Sequence, residues 1–317
     1  MMTVVLATHN GEDTLERTLD SFRGLEQPSG GWHLVVVDNA STDRTHEIAS
    51  RYLTELPMTI VQEAKLGKSN ALNRGIEFVR GDLVVFADDD VLADANWLTE
   101  WRRVGDQYPD LGIFGGAIEP AFEAPPPLWL KDTNWQIVLY TATAPGRPEG
   151  AMAPDAMEIY GPNMAVRADI LAEGPRFDPR LMSGPSALLG DETEFVDRVV
   201  AAGTRAGFAP AARVRHIVQK HQVTMRWMLN RFYRHGRTMY FLDRLRVATH
   251  APSIGGIPRY LIRRIVTRCL LLPFALASLS SFRVVTTLRL IAYDFGAASQ
   301  SRLMAPRPIR RRGDPAE

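Results

Sequence analysis

Three carboxylates stand in a row at Asp88, Asp89 and Asp90, directly after the apolar run from Leu83 to Ala87. Adjacent like charges repel, and such a cluster is best tolerated where a divalent cation or a donor-rich ligand neutralises it. Oxygen ligands select hard cations, here Mg²⁺ or Mn²⁺. The alternative is an acidic strand-to-helix turn in which Asp90 or Asp94 caps a helix entered through Trp97 and Trp101. Asp38 closes a second apolar run in VVVDNASTD, and Thr8-His9-Asn10 closes a third. A carboxylate at such a position can accept hydrogen bonds from a base or a ribose, or it can form an Asx turn into the next helix. Gly67, Lys68, Ser69 and Asn70 in KLGKSNALNRG open a helical pattern whose N-terminus suits an anion. A last acidic trio, Asp191, Glu192 and Glu194, begins another helix. A carboxylate there can take the proton of an attacking hydroxyl, or it can simply cap the helix.

These groups need a scaffold that brings strand ends together. The segments 3–8, 33–39, 58–64 and 82–90 are short and rich in Val and Ile, the pattern of strands buried on both faces. Between them, 14–22, 43–53 and 68–79 carry apolar residues at helical spacing, with Ser41 and Thr42 as candidate caps and Gly81 as a stop. Strands alternating with helices predict an α/β fold with a mostly parallel sheet, right-handed crossovers and ligands at the carboxyl ends of the strands. After Gly116 the pattern loosens. Pro120 and the triplet Pro125 to Pro127 argue against a central strand, so 119–158 reads as a surface excursion carrying Trp129, Trp135 and Tyr140. A helix is expected from Asp191 to Ala202, and the Arg/Pro-rich 306–312 reads as a frayed tail.

The 317 residues are 45% hydrophobic and 23% charged, which excludes disorder, collagen-like repeats and coiled coil and leaves one large domain or two smaller ones. The single cysteine, Cys269, can form neither an internal disulfide nor a Cys-based zinc site, so a reducing cytoplasmic setting is expected. The N-terminal MMTVVLATHN lacks a basic n-region and reads as a first strand rather than a signal peptide. The net charge of +1 conceals an asymmetry: residues 1–212 balance at −15 and residues 213–317 at +16, with 19 of the 20 cations in the latter being arginine. Planar guanidinium groups suit phosphate, pyrophosphate or anionic lipid. No helix-turn-helix, zinc-finger or RNA-binding signature accompanies the charge, so nucleic acid is not the expected partner. Residues 223–301 are helical in pattern, and the uncharged run from Cys269 to Phe282 is 14 residues long, short of the ~20 that a spanning helix needs. Tyr260, Leu261, Ile265 and Leu272 form one expected apolar face and Val284, Leu288, Ile291 and Phe295 another, as in an interfacial membrane helix pair. Packing on protein is the competing reading.

The series THN, VVDNASTD, KLGKSNALNRG, FADDDV, YGPNMAVR and GDETEFVDRVVAAG resembles the family 2 glycosyltransferases of GT-A fold, in order and spacing, over residues 1 to about 220. The resemblance implies a catalytic domain at 1–222, a basic helical region at 223–317, and inverting transfer of a sugar from a nucleoside-diphosphate donor with Mn²⁺ or Mg²⁺. It implies that Asp38 meets the nucleoside, Asp88 the ribose or sugar, and Asp90 the metal. Thr8, Asn10, Lys68, Asn70, Asp89 and Asn163 fall in the donor-binding motifs. Glu192 is the implied general base with Asp191 as its rival, since the family commonly has the two acids in the opposite order. His216 resembles a position where relatives add an imidazole to the metal site, and Arg237 in RFYRHGRT is a candidate to close over the leaving diphosphate. The expected acceptor is a glycan or a lipid-linked sugar at the inner face of the cell membrane. A sugar nucleotidyltransferase would need a Gly-rich cationic loop for triphosphate, which THNGEDTLERT does not supply; a non-catalytic scaffold binding nucleotide sugar or membrane is the remaining alternative.

Overall fold

The structure, a computed structural model, describes residues 1–130, 133–153, 158–172, 174–182, 188–246 and 251–305. Two compact units divide after Val223. The first contains β1 (Met2–Thr8), α1 (Leu15–Arg23), β2 (Trp32–Asp38), α2 (Thr45–Arg51), β3 (Met58–Gln62), α3 (Lys68–Ile76), β4 (Leu83–Asp88), β5 (Val91–Ala93), α4 (Trp97–Gln107), β6 (Ile113–Phe122), α5 (Thr133–Tyr140), β7 (Gly150–Ala151), β8 (Met164–Arg167), α6 (Ala168–Ala172), α7 (Asp191–Ala201) and β9 (Ala206–Val218). The second contains α8 (Met225–Arg246), β10 (Ser253–Ile254), β11 (Ile257–Pro258), α9 (Arg259–Ala277) and α10 (Ser281–Met304).

Alternation along the central strands builds the first unit. Val4, Leu6, Leu34, Val36, Leu83 and Val85 point to one face, covered by α1, α2 and α4; Val5, Val35, Val37, Val84 and Phe86 point to the other, covered by α3, α6 and α7. With both faces buried, a slip of one residue would change nothing in polarity along these strands, so register is set by side-chain fit and by the polar strand ends. The sheet runs β3-β2-β1-β4-β8-β6-β9-β5, with β7 beside β9. The first four strands are parallel. Beyond β4 the sheet is mixed, because β8 enters antiparallel to both β4 and β6.

Pro120 lies within a strand, contrary to expectation. β6 pairs with β8 only through Gly115 but follows β9 in parallel as far as Phe122, with Pro120 opposite His216. From Gly116 on, β6 is therefore an edge. The Ile118 N–H points away from β9 and donates to the Thr143 hydroxyl; Pro120, two residues on, faces the same way, so its missing N–H removes no ladder bond. The aromatic excursion is also more packed than expected, for Trp135 and Tyr140 are buried. Ser41 and Thr42 do not cap α2; the Asp43 carboxylate does, accepting from the Thr45 N–H.

In the second unit, α8 and α10 touch backbone to backbone. A Cβ on Gly236 would lie 1.9 Å from the Tyr293 carbonyl oxygen, and one on Gly296 would lie 1.9 Å from that of Tyr233. The apolar faces differ from those expected. Tyr260 and Phe295 are exposed as expected, but Leu261 is buried, and α9 also turns outward Val266, Leu270, Leu271, Phe274 and Leu276. Among the described residues no helix is long and apolar enough to cross a membrane. The tail at 306–312 lies outside the described residues.

Candidate active site

Register places the polar strand ends at one level. Thr8 is opposite Asp38, Asp38 opposite Gln62, and Ala7 opposite Asp88, so β1, β2, β3 and β4 deliver their last side chains to the same edge. The loops beyond are laced by side chains. The Asn39 amide donates to the Glu63 and Lys65 carbonyls, and its oxygen accepts from the Gly67 N–H at 2.7 Å. This fixes the entry to α3, where Gly67 has a φ of 134° that a residue with a side chain rarely adopts. Asp38 is buried and accepts from the Ser41 N–H and the Gln62 side-chain amide. One of its oxygens thus ties down the loop after β2, three residues on.

The acidic triplet divides its work. Asp89 accepts from the Thr8 hydroxyl, and burial together with the Asp90 charge pushes it up to about 7. Asp90 accepts at 3.1 Å from His216 Nε2, whose Nδ1 donates to the Tyr140 carbonyl at 2.8 Å. Burial opposes both charges, but their mutual attraction prevails, holding Asp90 below its ordinary range and raising His216 to about 9. The Asp90 Oδ1 atom is buried with no hydrogen-bond partner among the described residues. No ready-made cage of three His, Cys, Asp or Glu side chains occurs among the described residues. A small hard cation needs none, since Mg²⁺-like ions use one or two carboxylates and fill the rest with phosphate oxygens and water. The orphaned Oδ1 and an imidazole anchored through Nδ1, whose Nε2 would give up its proton on meeting a cation, fit such an ion.

Across the cleft, Lys68 Nζ at the first turn of α3 lies 2.6 Å from Asp88 Oδ1 and 2.7 Å from Glu192 Oε1 at the first turn of α7. Burial disfavours the ammonium, yet the charges of Asp88, Glu192 and Asp191 raise Lys68 well above its usual range. Burial would also raise Glu192, but Lys68 outweighs it and holds the carboxyl down to about 2. Asp191 is fully buried with both oxygens unpartnered among the described residues, and burial next to ionised Glu192 raises it strongly. One acid is thus kept ionised and its neighbour protonated. Neither caps α7, which begins at left-handed Gly190 without a side-chain cap. A Cβ on Gly161 would lie 2.1 Å from Glu192 Oε1, so glycine alone leaves the carboxylate its place.

Residues 3–144 match the family described as Glycosyl transferase family 2. The chain carries a family 2 glycosyltransferase domain. Among curated proteins, the glycosyltransferase is 22% identical over 250 residues to the glucosyl-dolichyl phosphate glucuronosyltransferase of Haloferax volcanii, covering 77% of this chain and 78% of that one. It is 24% identical over 228 residues to the succinoglycan biosynthesis protein ExoM of Rhizobium meliloti, covering 71% and 69%. Among solved structures it is similar to the mannosyltransferase PcManGT of Pyrobaculum calidifontis in complex with GDP-Man and Mn²⁺, with a TM-score of 0.60, 20% identity, and 96% and 87% of the two chains covered. That likeness establishes the fold, which is GT-A.

Two residues expected at the donor have their polar groups engaged within the protein. Asn163 is fully buried and accepts from Trp97 Nε1 while donating to the Ala117 and Ala212 carbonyls, all between 2.7 and 2.9 Å. Its amide is spent on joining α4, β6 and β9. Arg237 belongs to the second unit, where its buried guanidinium donates to Gln300. Asn10 and Asn70 stay at the strand-end level as loop ties, Asn10 accepting from the Thr42 N–H and Asn70 donating to the Leu66 carbonyl. Sequence reasoning passed over Asn39, Gln62 and Gly161. Only Asn39 and Gly161 lay within motifs already singled out, and nothing local marked Gln62 as the partner of Asp38.

Proposed function

We propose that this glycosyltransferase moves a sugar with inversion from a nucleoside-diphosphate donor to a hydroxyl of a glycan or lipid-linked acceptor at the inner face of a membrane. The observation that carries the reading is the pair of charged groups on one edge of the sheet: Glu192 ionised beside Lys68, and Asp90 with one oxygen on His216 and the other orphaned. Donor binding falls to the strand ends, with Asp38 accepting from the nucleoside and Asp88 from the ribose or sugar. Asp90 and His216 would hold Mn²⁺ or Mg²⁺, which when bound neutralises charge on the departing diphosphate. The acceptor oxygen attacks the anomeric carbon as the bond from that carbon to the diphosphate oxygen breaks. Its proton passes to Glu192, a carboxylate already ionised across the physiological range. Lys68 and Gly161 fix where that carboxylate stands.

The test is a panel of nucleotide sugars, assayed with Mn²⁺ for transfer and for slow hydrolysis, with the anomeric configuration of the product read by NMR. The reading expects turnover of at least one donor with inversion, and loss of turnover together with weakened Mn²⁺-dependent donor binding in Asp90→Asn. Retained configuration would remove the single-displacement role of Glu192. Binding without turnover across the whole panel would leave a scaffold.

A further inference from the structure

The helices α9 and α10 form a hairpin whose turn is its most apolar part. Leu270, Leu271, Phe274, Leu276, Leu279 and Phe282 are all at least half exposed, and Leu279 at the turn is 94% exposed. Below the turn the two legs are clamped. Asp294 on α10 is fully buried and pairs with Arg264 at 2.6 Å and with Arg268, and Arg268 also donates to the Leu290 carbonyl. Arg259, Arg263 and Arg283 are exposed. From residue 244 to residue 293 the chain has no acidic side chain.

We infer that the tip of this hairpin enters an anionic lipid bilayer end-on, placing Phe274, Leu279 and Phe282 among the upper acyl chains, with Arg283 reaching back from the tip to the phosphate layer and Arg259 and Arg263 on the headgroup side. The inference rests on the membrane reading above and specifies the residues and the attitude. Its dimensions agree. From Cys269 to Ala277 a helix rises ~13 Å, short of the ~15 Å of hydrocarbon in one leaflet, so the tip does not cross, and Arg283 on the other leg limits its depth to about what one snorkelling side chain can span. Its charges agree too, since guanidinium groups flanking an apolar tip match lipid phosphates. A second copy of the chain would bring the same arginines face to face with no carboxylate between them.

Three measurements on the full chain test this. Co-sedimentation with vesicles of phosphatidylglycerol and phosphatidylcholine is expected for the native protein, with partitioning lowered about tenfold or more by Leu279→Asp or Phe274→Asp, whose exposed positions leave the fold intact. An environment-sensitive probe on Leu279→Cys, in a Cys269→Ser background, is expected to brighten several-fold with vesicles and to be quenched by lipids brominated in the upper part of the chain. The same probe on Leu303→Cys, at the far end of α10, is expected to stay unchanged. Equal responses at both positions would mean flat adsorption and overturn the end-on attitude while keeping the membrane reading. No vesicle binding by the native chain would overturn both. A native dimer that Leu279→Asp splits, with vesicle binding unaltered, would assign the tip to self-association instead.

Discussion

The exchange of Asp and Glu at 191 and 192 leaves the base unassigned in the sequence, because order alone does not say which side chain reaches the cleft. The structure separates them by environment, one carboxylate against an ammonium and one sealed without partners. Glu192→Gln is accordingly expected to lower kcat by 10²- to 10⁴-fold with donor affinity kept, as read by steady-state kinetics and calorimetry. Asp191→Asn, which replaces a protonated acid by its neutral isostere, should cost less than a tenth of that loss; a dead Asp191→Asn with an active Glu192→Gln exchanges the roles. Gly161→Ala is expected to drop kcat at least tenfold without moving the donor KM, since its methyl would occupy the place of Glu192 Oε1 and a displacement of ~1 Å suffices for such a loss. Unchanged kcat in that variant would show that the carboxylate need not stand where Gly161 leaves it. Type and spacing place the acidic triplet and Asp38 at the strand ends, where register brings them to one edge. Asn163 could not be distinguished from them, because its three hydrogen bonds come from elements dozens of residues away.

The regular alternation was the legible part: β1 to β4 and α1 to α3 stand where apolar runs and helical spacing put them, although β3 is a half-buried edge strand and not buried on both faces. The edge stretch of β6 was not, since a proline rule stated for central strands does not hold where one side of the strand is open. In the second unit the apolar faces were misread in part, Leu261 above all, because burial there follows helix contacts such as that of α8 with α10, which leave no mark on helical periodicity. Gly236→Ala should therefore cost about 2–3 kcal/mol, measured by denaturant unfolding, as a backbone carbonyl cannot make way for a methyl. His235 on α8 supplies a pH dependence. Burial and then Arg231 push it down to about 4, from the ~6.5 of an unfolded chain. Between those values the unfolded state binds the extra proton, so stability is full above pH ~6.5 and declines as the pH falls toward 4. Thermal unfolding from pH 7 to 4.5 should show that decline, and His235→Gln should flatten it.

At the scale of the whole molecule, the −15 and +16 balances of the two parts of the chain make it dipolar in composition while nearly neutral in sum. Near-neutral chains with opposite patches attract one another when screening is weak, and the Debye length falls from ~30 Å at 0.01 M salt to ~8 Å at 0.15 M. Light scattering should find association at the lower salt that dissolves at the higher; a constant mass across that range would show that the opposite charges do not meet between molecules. The edge of β6 bears on another kind of association. A sheet edge recruits foreign strands through its free N–H and C=O groups, and such growth is how folded proteins seed fibres. Here Ile118 has its N–H and carbonyl occupied by Thr143, and the next outward position is a proline that has no hydrogen to give. β6, which runs beside His216 of β9, is thus a poor template for polymer growth, and Pro120→Val would restore the missing donor on that edge.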